Sequence, residues 1–274
     1  VLGAAIPMAG AQGYSADKPL GTSAQTTPEY LRKAGIDQNL NRMLPLKDSF
    51  VDEQGSKVEL GRYFGAGRPV VVALVYNKCG MLCPQVLHGM GAALRQSGLR
   101  AGHDYEVVVA SIDPTDTPAD TVEPRQHLLS MLGADAEAAS HVHFLTGSEG
   151  SIEDLAAATG FHYVRVPGPD GRMNQFAHSS VIMIATPDGR MSKYLSGVEY
   201  QPRDVRLAVL EASNHKIGSL TDLILLYCCN YTPSQGRYTV AVLRVLGLAA
   251  MGSLGMLAGV LYLLTRKPGQ PAAV

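Results

Sequence analysis

The stretch VVALVYNKCGMLCPQVLHG, Val71–Gly89, carries a run of apolar, β-branched residues into two cysteines, Cys79 and Cys83, with Pro84 directly after the second. From Pro69 to Tyr76 the run is almost unbroken, as expected of a strand buried on both faces. Pro84 suits the first turn of a helix, where a missing N–H costs nothing. A helix is therefore expected over about Gln85–Ser97, and the cysteines stand between it and the strand. A helix N-terminus carries partial positive charge and unpaired N–H groups. It favours thiolate over thiol, and thiolate is both the nucleophile and the metal ligand. Position alone admits a redox couple or a metal site. A disulfide that closes so short a loop constrains little chain, so a purely structural bridge is disfavoured.

Outward from this stretch the pattern alternates. SFVDEQGSKVEL, Ser49–Leu60, reads as a hairpin around Asp52–Gly55. YEVVVASID, Tyr105–Asp113, reads as a second buried strand, and a helix is expected after Thr117–Pro118. HVHFLTG is a short strand. SIEDLAAATGF is a helix with Ser151 as N-cap and Asp154 in the capping-box position. HSSVIMIATPDGRMSKYLSG is a hairpin turning at Pro187-Asp188-Gly189, and QPRDVRLAVLEAS is a final helix. Buried strands alternating with helices, closed by a hairpin and a helix, point to an α/β, thioredoxin-like sandwich.

The spacing narrows the chemistry. Thiol-disulfide oxidoreductases of such a fold typically use C-x-x-C, whereas C-x-x-x-C lets two sulfurs splay around an ion. Two soft thiolates favour Cu(I). A structural zinc site would usually need four ligands, and no second C-x-x-C or H-x-x-x-H supplies them. A third ligand would complete a trigonal copper site. Of the eight histidines, His178 is the candidate, because in a thioredoxin-like fold the loop entering the hairpin strand packs beside the cysteines. His88 is expected to point away along its helix. His141 and His143 share a face of a short strand and are expected at a surface or edge. His103, His127, His162 and His215 lack a motif. Asp113 and Asp116, within DPTDTP, are expected to serve turn formation and helix capping rather than catalysis.

Composition sets the outer limits. The net charge is −1, charged residues make up 17 %, and no basic stretch suggests nucleic-acid binding. VLGLAAMGSLGMLAGVLYLL, Val245–Leu264, carries no charge and has the length of a membrane-spanning helix. The opening VLGAAIPMAGAQG reads as the end of a signal region with Ala9-Gly10-Ala11 as its cleavage site. A secretory signal and a C-terminal anchor in the inner membrane would place the middle of the chain outside the cytoplasm, facing the periplasm or the cell exterior. That compartment permits disulfides. Cys228 and Cys229 are adjacent and poorly placed to pair with each other, and are expected to be small apolar residues near the membrane surface.

These motifs together resemble those of the Sco/SenC copper proteins. YNKCGMLCPQVL looks like that family's C-x-x-x-C-P element. SIDPTDTP, FLTGSEGSIEDLAAATGF and HSSVIMIATPDGRMSKYLSGVEYQPRDVRLAV follow in the family's order and spacing. The resemblance covers roughly Ala34–Ser213. It implies a thioredoxin-like fold and copper, as Cu(I) or Cu(II), held by Cys79, Cys83 and His178. It also implies a copper chaperone for the CuA centre of cytochrome c oxidase subunit II, with other periplasmic copper chaperones or respiratory-complex subunits as further partners. The C-terminal part is similar to a bacterial subgroup anchored at its C-terminus. That subgroup commonly has C-Y-H-Y-D-P before the helix, where this chain has Cys228-Cys229-Asn230-Tyr231-Thr232-Pro233.

The expected organisation is a residual signal segment (1–11), an arm (12–45), a thioredoxin-like copper-binding domain (46–213), a linker (214–239), a transmembrane helix (240–265) and a cytoplasmic tail (266–274). Two alternatives to the chaperone stand beside it. One is a thiol-disulfide reductase in which Cys79 and Cys83 keep the CuA cysteines reduced. The other is a resident accessory subunit of a respiratory complex. A peroxiredoxin-like peroxidase would want Thr-x-x-Cys, and Tyr76 stands at that threonine's place.

Overall fold

The computed structural model describes residues 33–80, 82–168, 170–217 and 257. The apolar run forms β3 (Val70–Val75), in which every residue is buried. It lies between β4 and β8 inside a seven-stranded sheet ordered β2-β1-β5-β4-β3-β8-β9. The other strands are β1 (Ser49–Val51), β2 (Lys57–Glu59), β4 (Glu106–Ser111), β5 (Val142–Gly147), β8 (Val181–Ala185) and β9 (Met191–Ser196). The trio β3, β4 and β5 is parallel, while β8 runs antiparallel to β3 and β9 antiparallel to β8. β4 and β8 are as completely buried as β3. That explains why their sequences are continuous apolar runs rather than alternating ones.

Helices connect the parallel strands: α1 (Leu82–Gln96) joins β3 to β4, and α2 (Val122–Leu132), preceded by a 3-10 turn at Pro118–Thr121, leads toward β5. Like-handed crossovers stepping in one direction along a sheet fall on one face, and α1 does pack directly against α2. The approach is close at Gly91. A Cβ there would lie 2.7 Å from Met131 Cβ and 3.1 Å from Leu128 Cδ1. The short α3 (Ala136–Ala139) precedes β5, α4 (Glu149–Thr159) follows it, and α5 (Pro202–Ser213) closes the domain against α1 and β9. The hairpins at 49–59 and 181–196 and the final helix form where the sequence expects them.

Three local features differ from expectation. The first helix begins at Leu82, so Cys83 and Pro84 lie inside its first turn. The N-cap of α4 is Ser148, whose hydroxyl accepts from Ser151 N–H; Ser151 is already helical. The chain has less room than the sequence suggests, because Gly147 is still paired with Phe50 in the sheet and the helix must start at once. The third is a separate hairpin of β6 (Tyr163–Val166) and β7 (Gln175–His178), for which the sequence gives no clear expectation.

Part of the expected arm belongs to the domain. Asn41 and Leu44 donate backbone hydrogen bonds to Met191 and Gly189, and Ile36 bridges Phe161. Asp37 passes so close to Gly160 that any Cβ there would strike its carbonyl, and Gly160 also takes a left-handed φ of 68° to end α4. The domain's core runs from Leu44 to Ala212. Among the described residues no helix is long and apolar enough to cross a membrane. The expected signal segment, the span at 240–265 apart from residue 257, and Cys228 and Cys229 lie outside the described residues.

Candidate metal and redox site

The site is assembled at the end of β3. Tyr76 continues the strand and is buried. The next residues are pinned from β4. Asp116 Oδ2 accepts from Asn77 N–H at 2.7 Å and from Ser111 Oγ at 2.7 Å, and Lys78 Nζ lies 3.2 Å from Asp116 Oδ1 and 3.4 Å from Asp120. Asp113 closes its own turn by accepting from Thr115 N–H and Oγ1. Asp113 serves its turn as expected, but Asp116 caps no helix: the cap of the 3-10 turn is Thr117, boxed with Asp120. Asp116 instead holds the backbone N–H of Asn77 and the side-chain ammonium of Lys78, just before Cys79.

Cys79 N–H turns back to Tyr76 O at 3.2 Å, and Cys83 N–H, in the first turn of α1, points at Cys79 Sγ from 3.5 Å. Both thiols are free of any disulfide. They are unequal, since Cys83 is buried and Cys79 half-buried. Hydrogen bonding to Cys79, then burial, pushes the Cys83 thiol far above the ordinary range, which leaves Cys79 the more available nucleophile. Burial also raises Tyr76, and a hydrogen bond between its hydroxyl and Cys79 adds to the effect.

The hairpin that the sequence does not announce delivers the third group. His178 is the last residue of β7, paired with Tyr163. Its ring packs against Phe161 at 5.5 Å and Tyr76 at 6.1 Å between centroids. Nε2 lies 3.3 Å from Cys83 Sγ, and Nδ1 lies 3.0 Å from Ser179 O. A carbonyl only accepts, so Nδ1 carries the hydrogen and the Nε2 lone pair of the neutral ring faces the sulfur. Burial lowers the His178 pKa, which favours that neutral form. A backbone acceptor that fixes the tautomer is the usual support of a ligating histidine.

Two sulfurs and one imidazole nitrogen form a soft-to-intermediate donor set, which copper suits in both oxidation states. Among the described residues no three such side chains already converge on a common point. Binding an ion would require the three donors to draw together. A cleft of about 200 Å³ opens on Cys79 and Cys83 between Tyr76, Leu87, Pro124 and His127, and gives the thiols access to solvent or a partner.

The remaining histidines fall into distinct environments. His103, His162 and His215 each pair with a nearby aspartate at the surface. His88 and His127 face each other across α1 and α2, with ring centroids 5.8 Å apart, and His88 does not line the cysteine cleft. His141 and His143 are also not mere surface decoration. His141 Nδ1 lies 3.0 Å from both Glu106 carboxylate oxygens, and His143, only 17 % exposed, sits 3.7 Å from Glu53 and 3.8 Å from Glu106. Glu106 also binds Arg68. The partners, on β4 and in the turn after β1, are 35 or more residues away, and no local pattern announces them.

Comparison of this domain with known proteins gives a consistent answer. The family model described as SCO1/SenC matches residues 47–212. No curated protein sequence matches the chain. Among solved structures, a putative electron transfer protein from Aquifex aeolicus is 21 % identical with a TM-score of 0.53, over 65 % of this chain and 95 % of that one. ScoI from Arabidopsis thaliana, solved with copper bound, is 20 % identical with a TM-score of 0.49, over 61 % and 96 %. Bradyrhizobium japonicum ScoI, also with copper bound, is 23 % identical with a TM-score of 0.47, over 60 % and 96 %. The Aquifex protein shares the mixed α/β, thioredoxin-like fold, and a family model that covers most of the chain decides the assignment: the chain belongs to the SCO1/SenC family.

Proposed function

We propose that this chain is a copper chaperone that takes copper through Cys79, Cys83 and His178 and carries it to the CuA centre of cytochrome c oxidase subunit II. The observation that carries the reading is the His178 contact. A neutral imidazole, its Nδ1–H held by Ser179, offers its Nε2 lone pair to the cysteine pair at 3.3 Å. A dithiol couple needs no such ligand. Membership of the SCO1/SenC family, of which two ScoI proteins have been solved with copper bound, supports the same reading. Copper, as Cu(I) or Cu(II), is cargo here. Two thiolates can hold Cu(I), and the imidazole adds the nitrogen donor that Cu(II) prefers. The half-buried Cys79, on the open cleft, is the donor best placed to pass the ion to an incoming ligand by exchange. We place the domain on the periplasmic face of the inner membrane, anchored by 240–265.

A second reading rests on the inequality of the two thiols. In a reductase, the Cys79 thiolate would attack a partner disulfide and release one partner thiolate. Cys83, giving up its proton, would then attack Cys79 Sγ and release the second. The partner gains two electrons and this chain ends with a Cys79–Cys83 disulfide. The readings separate in one experiment. The chain is loaded with one equivalent of Cu(I) and mixed with a reduced, metal-free CuA fragment. The chaperone reading expects copper to move while the Cys79 and Cys83 thiols stay reduced. Failure of copper to move, with rapid reduction of an oxidised fragment by the metal-free chain, would replace it with the reductase.

A further inference from the structure

The cysteine cleft does not end at the cysteines. His127, on α2, forms part of its wall, and the same ring lines an adjoining cleft with His88, Gln85 and Glu199. Pro84 borders both, so the two spaces meet at the first turn of α1, beside Cys83. His88 is five residues beyond Cys83 on α1, about 7.5 Å along the helix axis.

The helix packing brings the two imidazoles together. Gly91 lets α1 and α2 approach until Leu128 and Met131 fill the space a side chain would take. His88 lies one turn before Gly91, and His127 one turn before Met131. Their rings stack at 5.8 Å with an interplanar angle of 30°, and both residues are exposed. Glu199 lines the same cleft as both rings, and Glu123 stands four residues before His127 on the same helix, hence on the same face. No hydrophobic or capping role explains two exposed histidines facing each other. The other exposed histidines, His103, His162 and His215, are each engaged by an aspartate.

We propose that His88 and His127 form a second metal site, a two-imidazole port that takes Cu(II) at the surface and delivers it to the adjoining cysteine cleft. Imidazole nitrogens suit Cu(II), which among first-row divalent ions binds such sites most tightly. The delivery role rests on the copper-binding reading of Cys79, Cys83 and His178; the port itself does not. Ligand exchange between port and cleft leaves the oxidation state of copper unchanged.

Two experiments separate port from delivery. In the full chain with all four cysteines replaced by serine, Cu(II) is titrated against a glycine buffer and the bound ion is read by electron paramagnetic resonance. One equivalent with nitrogen hyperfine structure is expected, and His88→Ala or His127→Ala in that background should weaken it at least tenfold. Unchanged affinity in both variants overturns the port, whatever the cysteines do. In the chain with its cysteines intact, thiolate-to-Cu(II) absorption is followed after rapid mixing with Cu(II). His88→Ala, at a residue that lines only the adjoining cleft, should slow its appearance at least fivefold and leave its final intensity unchanged. Loading at the wild-type rate overturns the delivery role. Loss of the final intensity would place His88 in the cysteine site itself and overturn the separation of the two sites.

Discussion

Two half-hidden histidines occupy opposite electrostatic worlds in this domain. His178 stands among Phe161, Tyr76 and a cysteine, with no carboxylate against it, and burial lowers its pKa. His143 stands between Glu53 and Glu106. Burial pulls it down too, but hydrogen bonds to Glu106 and Glu53 outweigh that effect and raise it. The carboxylates answer in kind. Burial would raise Glu53, yet bonds from His143, its own backbone and Phe144 N–H bring it to about 2. The same residue type is thus pushed toward the neutral form, with its lone pair facing a thiol, at one place, and pushed toward the charged form beside carboxylates at the other. Histidine's role is decided by whether an anion faces it.

The comparison breaks most visibly at the cysteines. Cys79→Ser or Cys83→Ser removes a soft donor next to the neutral histidine, and copper affinity should fall on the order of a thousandfold or more, about 4 kcal/mol. A competition titration against a Cu(I) chelator measures this. Retention of wild-type affinity in either variant would remove that sulfur from the ligand set.

At the charged end the expected loss is of stability. Glu106→Ala leaves His141, His143 and Arg68 without their shared anion. Removing one partner of a buried ionic cluster costs about 3 kcal/mol, roughly 10 °C in Tm for a domain of this size. Copper binding should be unchanged, because the cluster and the cysteines are separate. Calorimetry of the metal-free protein checks the first claim, and a Cu(I) titration the second.

A smaller effect is the pH dependence of that stability. Glu53, depressed in the folded state, contributes stability that is complete above about 4.5 and is lost as pH falls toward about 2. Glu106, also depressed, behaves in the same sense. His143, raised in the folded state, contributes stability that is complete below about 6.5 and is lost as pH rises through its folded value. The cluster, which also faces Arg68, Arg125 and His141, should therefore stabilise most between about 4.5 and 6.5. Denaturant titrations across pH should show a decline above 6.5 that His143→Gln flattens. An unchanged slope in the variant would show that His143 does not hold its proton there.

How much of this is legible in the sequence follows the range of the interactions. β3, β4 and β8 can be read because burial on both faces leaves a continuous apolar run, and the turn at Pro187-Asp188-Gly189 because its chemistry is local. The cysteines are legible from their spacing and from the proline behind them. His178 can be picked out from fold and family resemblance, but the strand that carries it cannot. β6 and β7 are four residues each and partly exposed, and a polar, glycine-rich stretch separates them. The alternation in YVRV is the available signal. The Glu53–His143–Glu106 cluster is invisible, because its members meet only when β5 has paired with β4 and the loop after β1 has folded over them. Ser148 and Ser151 both satisfy an N-cap pattern, and only the end of β5 decides between them.

The most direct test of the central claim is Cu(II) binding by His178→Ala, compared with the redox behaviour of the same variant. The account predicts loss of the intense thiolate-to-Cu(II) absorption and at least a hundredfold weaker Cu(II) binding. It predicts a far smaller change for Cu(I) and a Cys79–Cys83 pair that still oxidises and reduces reversibly. A variant that binds Cu(II) like the wild type would contradict it, and His178 would then be only a neighbour of the cysteines.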